Sequence, residues 1–132
     1  MQKKVFKIFL LFIVCFMLVG CKNKTENKKE KVKEINLTNE SITKEQIVDG
    51  IKISDIEMKV VDGMTTFNAK ATNTTKENID VETIKIIVQD EKEKEIVTLT
   101  GYIGTLKVDE SKKIINSTDI DLSKAKSIKY EI

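Results

Sequence analysis

The sequence predicts an all-β fold: a small antiparallel β-sandwich of six or seven strands over residues 42–132, preceded by a signal-peptide helix and a polar linker. Three observations predict it. β-Branched residues dominate from Gln46 onward. Apolar and polar residues alternate there at period two, the mark of half-buried strands. Short polar or Gly-containing clusters punctuate the alternation at regular spacing, as sandwiches require. The chain of 132 residues is long enough for one such domain plus appendages.

The first element is residues 1–20. Lys3, Lys4 and Lys7 form a positive start, and Ile8 to Val19 is an unbroken apolar run of twelve residues. That length suits a signal peptide and falls short of the roughly 20 residues needed to span a bilayer. The run ends in Leu18-Val19-Gly20-Cys21. These four residues resemble the bacterial lipobox, in which an aliphatic residue and a small residue precede a lipid-accepting Cys. The resemblance implies cleavage after Gly20 and a thioether-linked diacylglyceryl group on Cys21, which becomes the mature N-terminus. Gly20 suits that chemistry, since it puts no side chain between the thiol and the processing sites. Two acyl chains, at about 0.8 kcal/mol per buried methylene, suffice for stable anchoring. Cys15 then leaves with the signal peptide and Cys21 is consumed by lipid. The mature chain keeps no thiol, no disulfide and no cysteine metal ligand. The implied location is the extracytoplasmic face of the cell membrane. The AT-rich coding bias behind the many Ile, Lys, Asn and Glu residues points to a low-GC Gram-positive source.

Residues 21–41 follow as a linker. Lys22 to Glu34 contains only Val32 as an apolar residue. Such a segment buries too little surface to offset chain entropy and is expected to be disordered, with disorder continuing to about Ser41. About 20 flexible residues would reach roughly 25 Å on average.

Next, "TKEQIVDG" (Thr43 to Gly50) is open between two readings. Thr43 and Gln46 can form a capping box for one helical turn, or Gln46 to Val48 can be a short edge strand. Strands are expected at Ile51–Val61, then at "FNAKATN" with Phe67, Ala69 and Ala71 on one face. Asp62-Gly63 between them is a hairpin turn, since Gly tolerates positive φ. Asn73 closes the second strand, and residues 73–78 form a loop. "ETIKIIVQD" places Ile84, Ile86 and Val88 inward and Thr83, Lys85 and Gln89 outward. A helix there is disfavoured by the Thr, Ile and Val content and by Glu91 and Lys92, which break the apolar spacing. "DEKEKE" (Asp90 to Glu95) is a polar hairpin loop before "IVTLTGYIG". Ser111–Ser117 and Ser127–Ile132 complete the set, with a loop at Asp119–Lys124. Lacking disulfides and Trp, the domain must rest on Ile, Val, Leu and Phe packing, with Phe67 expected at its centre.

The stretch from "ISDIEMKVVDGMTTFNAKATN" through "VETIKIIVQDEKEKEI" and "GTLKVDESKKI" to "SIKYEI" resembles the FxLYD-type Ig-like domains of bacterial extracytoplasmic lipoproteins. The naming motif reads Ile86-Ile87-Val88-Gln89-Asp90 here, so only its Asp is kept, and Asp109-Glu110 stands where Gly-Glu is usual. What the resemblance implies is a small Ig-like sandwich outside the cytoplasm, without a defined chemistry.

Composition excludes more functions than it suggests. All 23 basic residues are lysine. The excess of positive charge sits in the leader and linker. Residues 35–132 hold fourteen lysines against eighteen acids. A weakly acidic domain lacks the basic face of a nucleic-acid binder. With no His and no usable Cys, an imidazole base, a thiolate nucleophile and the usual zinc sites are excluded. Two carboxylates could serve a glycosidase, and Asp119 and Asp121 sit close together. They are also weak calcium candidates with Asp109 and Glu110, lacking the Gly and distal Glu of a calcium loop. No cofactor beyond the covalent lipid is expected. The N-x-S/T triplets, such as Asn73-Thr74-Thr75 and Asn116-Ser117-Thr118, need no glycan in a bacterial chain.

Binding remains. Ile87 and Ile115 fall out of phase with the inward positions assigned around them. Either a bulge shifts the register, or they form an exposed apolar patch for a partner, and edge strands offer strand addition. The expected function is therefore a membrane-anchored, non-catalytic domain that binds an envelope protein. The alternative is a ligand- or ion-sensing component, or an accessory subunit of a membrane complex such as a transporter.

Overall fold

A computed structural model describes residues 32–132. The lipobox and the linker up to Lys31 lie outside the described residues.

Alternation builds two antiparallel sheets. The larger contains β1 (Glu34–Asn36), β2 (Gln46–Val48), β3 (Ile51–Val61), β4 (Met64–Asn73) and β7 (Ser111–Thr118). The smaller runs β6–β5–β8, from β5 (Ile79–Gln89), β6 (Glu95–Leu106) and β8 (Ser127–Glu131). In the larger sheet the order is β1–β3–β4–β7, with β2 beside β1 on the same edge of β3. Consecutive strands β4 and β5 lie in different sheets, as do β7 and β8, while β4 pairs with β7 and β5 with β8. This crossing ties the layers together, and the sandwich is all-β as the alternation predicts.

Strand pairing explains the turns. Val48 pairs with Ile51 and Val61 with Met64, leaving Asp49-Gly50 and Asp62-Gly63 as two-residue hairpins. All four of these residues have positive φ. Tight hairpins require this, and an Asp-Gly pair supplies it cheaply.

The N-terminal part of the domain departs from expectation in two ways. Residues 34–36 pair with β3, so part of the expected linker over 21–41 belongs to the sandwich. "TKEQIVDG" takes the second reading: Gln46–Val48 is a short edge strand, and the helical turn opened by Thr43 does not form. A single helical turn, α1 (Glu40–Thr43), precedes strand β2. Its cap is Asn39, whose side chain accepts from the Ser41 N–H, and Thr43 closes the turn instead of opening it. Ile42 is fully buried, which supplies the energy to hold so short a turn in place.

The inward faces agree with the predicted ones. Phe67, Ala69 and Ala71 of β4, and Ile84, Ile86 and Val88 of β5, are buried. Phe67 is 0% exposed and is the largest fully buried side chain. Strand β3 needs one correction of phase. Ile51 and Ile53 point inward, then Ile56, Met58 and Val60 do. A bulge between Ser54 and Glu57 makes the switch by setting two residues against one on β4. Asp55 occupies it at φ 52.

Polar hubs pin the connections. Asn73 is fully buried. Its Nδ2 donates to the Glu77 carbonyl at 2.7 Å and the Leu106 carbonyl at 3.1 Å. Its Oδ1 accepts from the Thr75 N–H and hydroxyl, both at 2.8 Å. Asn73 thus closes β4 as expected and also clamps the far end of β6. Thr65, likewise buried, donates to the Ile120 carbonyl at 2.7 Å and accepts from the Leu122 N–H at 3.1 Å. It fixes the β7–β8 connection, whose Leu122 and Ala125 join the core.

Truncating Phe67 to Ala is expected to destabilise the domain by about 3–5 kcal/mol. A thermal melt indistinguishable from the parent's would remove Phe67 from the centre of the core.

Candidate functional site

The sequence-predicted residues do not assemble into one centre. Leu18, Val19, Gly20 and Cys21 lie outside the described residues. Asp109 and Glu110 sit in the turn before β7, and Asp119 and Asp121 sit just after it. The strand between them keeps the two pairs about 25 Å apart. Glu110 accepts from the Lys107 N–H at 2.7 Å, and Asp109 takes the turn's positive φ of 59. Asp121 accepts from the Ser123 N–H at 2.9 Å. Hydrogen bonds from the Ser123 side chain and backbone hold the Asp121 carboxyl below the usual range, with Lys33 and Lys124 adding to the effect. The carboxylates of Glu110 and Asp121 thus shape turns. Among the described residues no group of three or more His, Cys, Asp or Glu is placed to hold a metal ion.

The two out-of-phase isoleucines separate as well. Ile87 is half-buried on the outer face of the smaller sheet, between Thr98 and Lys129. Ile115 is 73% exposed on the outer face of the larger sheet, opposite Asn68. No register shift accompanies either. The irregularity near Ile87 follows Val88 and gives the extra residue, Ile96, to β6. They are two separate surface positions and not one patch.

Around Ile115 the outer face forms a shallow depression of about 390 Å³, lined by Asp55, Glu57, Asn68, Lys70 and Lys113. Across it, Lys70 reaches the carboxylate of Asp55 at 2.6 Å. The hydrogen bond and charge of Lys70 lower the Asp55 pKa. The β3 bulge is what turns Asp55 toward this partner.

The strand edges show the sharpest contrast. On β6, the Lys112 ammonium donates to the carbonyls of Thr105 at 2.7 Å and Ile103 at 3.3 Å. The Asn116 amide donates to the Thr100 carbonyl at 2.6 Å. On the opposite flank the Gln46 amide donates to the Ile128 carbonyl of β8 at 2.9 Å. Side chains from the larger sheet therefore occupy carbonyls on both edges of the smaller one. Gly101 permits the close approach of β6 to β7: a Cβ there would lie 2.7 Å from Cγ2 of Ile114. Strand β7 supplies these inward groups from Lys112, Ile114 and Asn116. The intervening Ser111, Lys113, Ile115 and Ser117 are exposed. Sequence reasoning found Ile115 by its phase. It missed Lys112 and Asn116, since nothing local marks a polar side chain that bridges layers.

No family model, no curated protein and no solved structure matches this chain.

Replacing Lys112 with Met keeps the apolar stem and removes the donor to β6. The expected loss is about 1 kcal/mol in urea denaturation. Unchanged stability would show that the ammonium does not hold this edge.

Proposed function

We propose that this chain is a lipoprotein whose sandwich domain binds protein partners, without catalysis, at the outer face of the cytoplasmic membrane. The observation that carries the anchor is Leu18-Val19-Gly20-Cys21 behind a lysine-flanked run of twelve apolar residues. Acylation of Cys21 and cleavage after Gly20 follow from that resemblance. The described residues are compatible with it. The chain enters the domain at β1, at the end of the sandwich that carries the Asp62-Gly63 hairpin, and no described helix is long and apolar enough to cross a membrane. The all-β domain is compatible with the resemblance to the FxLYD-type Ig-like modules, with Ile86 to Gln89 at the end of β5 and Asp90 just after it in the place of their naming motif.

Non-catalytic binding is supported by chemistry. Residues 22–132 hold no His and no Cys. The surface depressions are shallow and are lined by exposed lysines, acids and turn residues. A binding domain of this kind needs only a rigid frame and an accessible surface. The frame is the core around Phe67, and the surface with unmet bonding capacity lies along β7.

Cys21→Ser is expected to release the chain from the membrane fraction and to abolish a mass increment matching a diacylglyceryl group. A parent chain that carries an unmodified sulfhydryl, or that fractionates like the variant, would contradict the anchor.

A further inference from the structure

The geometry points to self-association through the free edge of β7: two copies pair their β7 strands antiparallel about Ile115 and join their larger sheets into one. For its effective concentration this inference rests on the anchored, protein-binding reading above.

Ladder geometry identifies the available groups. In an antiparallel pair, alternate residues bond the neighbouring strand and the rest point the other way. The Asn73 N–H donates to the Glu110 carbonyl at 3.0 Å. The constant register between β4 and β7 extends that bonded phase to Lys112, Ile114, Asn116 and Thr118. The N–H and C=O groups of Ser111, Lys113, Ile115 and Ser117 therefore point away from β4. Among the described residues they meet no hydrogen-bond partner. Independent ladders agree with this phase. Val61 and Met64 flank a two-residue hairpin and must be a bonded pair, which directs the odd-numbered residues of β4 toward β7.

The other edges are different. Side chains already occupy carbonyls on β6 and β8, and β1 and β2 are only three residues long. Strand β7 offers eight residues in regular pairing, ending in no bulge and holding no proline. Unpaired strand edges are templates for added strands.

A second copy fits this edge by its own sequence. Centring the pair on Ile115 sets each Ile115 against the same residue of the second copy. The isoleucine that is 73% exposed in the single chain is thereby covered. Lys113 then faces Ser117 of the second copy, so no two lysines oppose each other. Lys112 does not intrude, because its ammonium is turned to the carbonyls of β6. Each chain presents the same patch, as a two-fold contact requires. Anchoring confines the copies to the membrane plane and raises their effective concentration without any new contact.

The test uses the full-length chain in its own membrane. Residues 22–132 contain no cysteine, so an introduced thiol can be compared directly with the parent background. Ile115→Cys, treated with a short thiol-to-thiol crosslinker, is expected to give a covalent homodimer several-fold above Met64→Cys, another exposed apolar position. A yield no greater than that of Met64→Cys, or capture of a different protein in place of a second copy, would overturn the pairing. A second reporter is Lys113→Cys co-expressed with Ser117→Cys, with and without Ile115→Pro. The Ile115 N–H bonds nothing within the single chain, so proline there leaves the ladder intact. The expected result is a several-fold loss of crosslinking with the thermal melt retained. Retained crosslinking would overturn the inference. Fractionation of the parent reads the anchor separately. A chain found only in the soluble fraction that still crosslinks at Ile115 keeps the pairing and overturns the anchor.

Discussion

Two stacked sheets can bury their inner faces against each other, yet every outer strand still carries a row of backbone donors and acceptors. How those rows are met decides what this domain can be. Lys112 and Asn116 reach from β7 to the β6 carbonyls, and Gln46 reaches from β2 to β8. Each bond crosses from the larger sheet to the smaller. It therefore holds the layers in register as well as satisfying the edge. The neutral bonds among these, from Asn116 and Gln46, are worth about 1 kcal/mol net each. Their larger effect is to occupy carbonyls on both edges of the smaller sheet, which hinders the strand addition that otherwise threatens any short-stranded sandwich. The one long edge not closed in this way is the strand that supplies the closing groups.

The apolar core sets that strand in place. Ile114 of β7 packs inward, against the face of Gly101, only because β6 has no side chain there. Phe67 fills the centre on the neighbouring strand. The β3 bulge keeps this core continuous. Without it, Ile53 and Ile56 could not both face inward, because residues three apart on a regular strand point to opposite faces. Asp55 takes the left-handed conformation that the bulge requires, a role Asp fills better than most residues. Its carboxylate then pairs with Lys70 beside Ile115. Packing on the inner face and the chemistry of the outer face are thus linked through one irregularity in β3.

Much of the fold was legible because period-two alternation reports burial directly. Strands β3 to β8 fall where the alternation places them, and Asp62-Gly63 and Asn73 act as turn and strand closer. Three kinds of feature were not legible. Strand β1, three residues long, is too short to show a period, and the same shortness left β2 as one of two readings. Tertiary burial of Ile42 ordered a segment whose polar composition suggested disorder. Leu122 sits between Asp121 and Ser123 and reads as part of a solvated loop, yet Thr65 holds its backbone so that the side chain enters the core. Of the functional surface, Ile115 was visible as an apolar residue in the wrong phase. The open edge beside it was not, since strand order and ladder parity exist only once the sheets are assembled. The proposed anchor rests wholly on sequence, on the residues around Cys21.

Function in this account follows from a division within a single strand. Even-numbered residues of β7 bond β4 and serve the fold, and odd-numbered residues turn their N–H and C=O groups to the open edge proposed for a partner. Amide hydrogen exchange on the dilute, monomeric chain tests that division most directly. Protection should alternate: slow exchange at Lys112, Ile114 and Asn116, whose N–H groups bond β4, and near-unprotected exchange at Lys113, Ile115 and Ser117. Uniform protection along β7 would mean that its outer edge is already satisfied, and the surface assigned here would not exist.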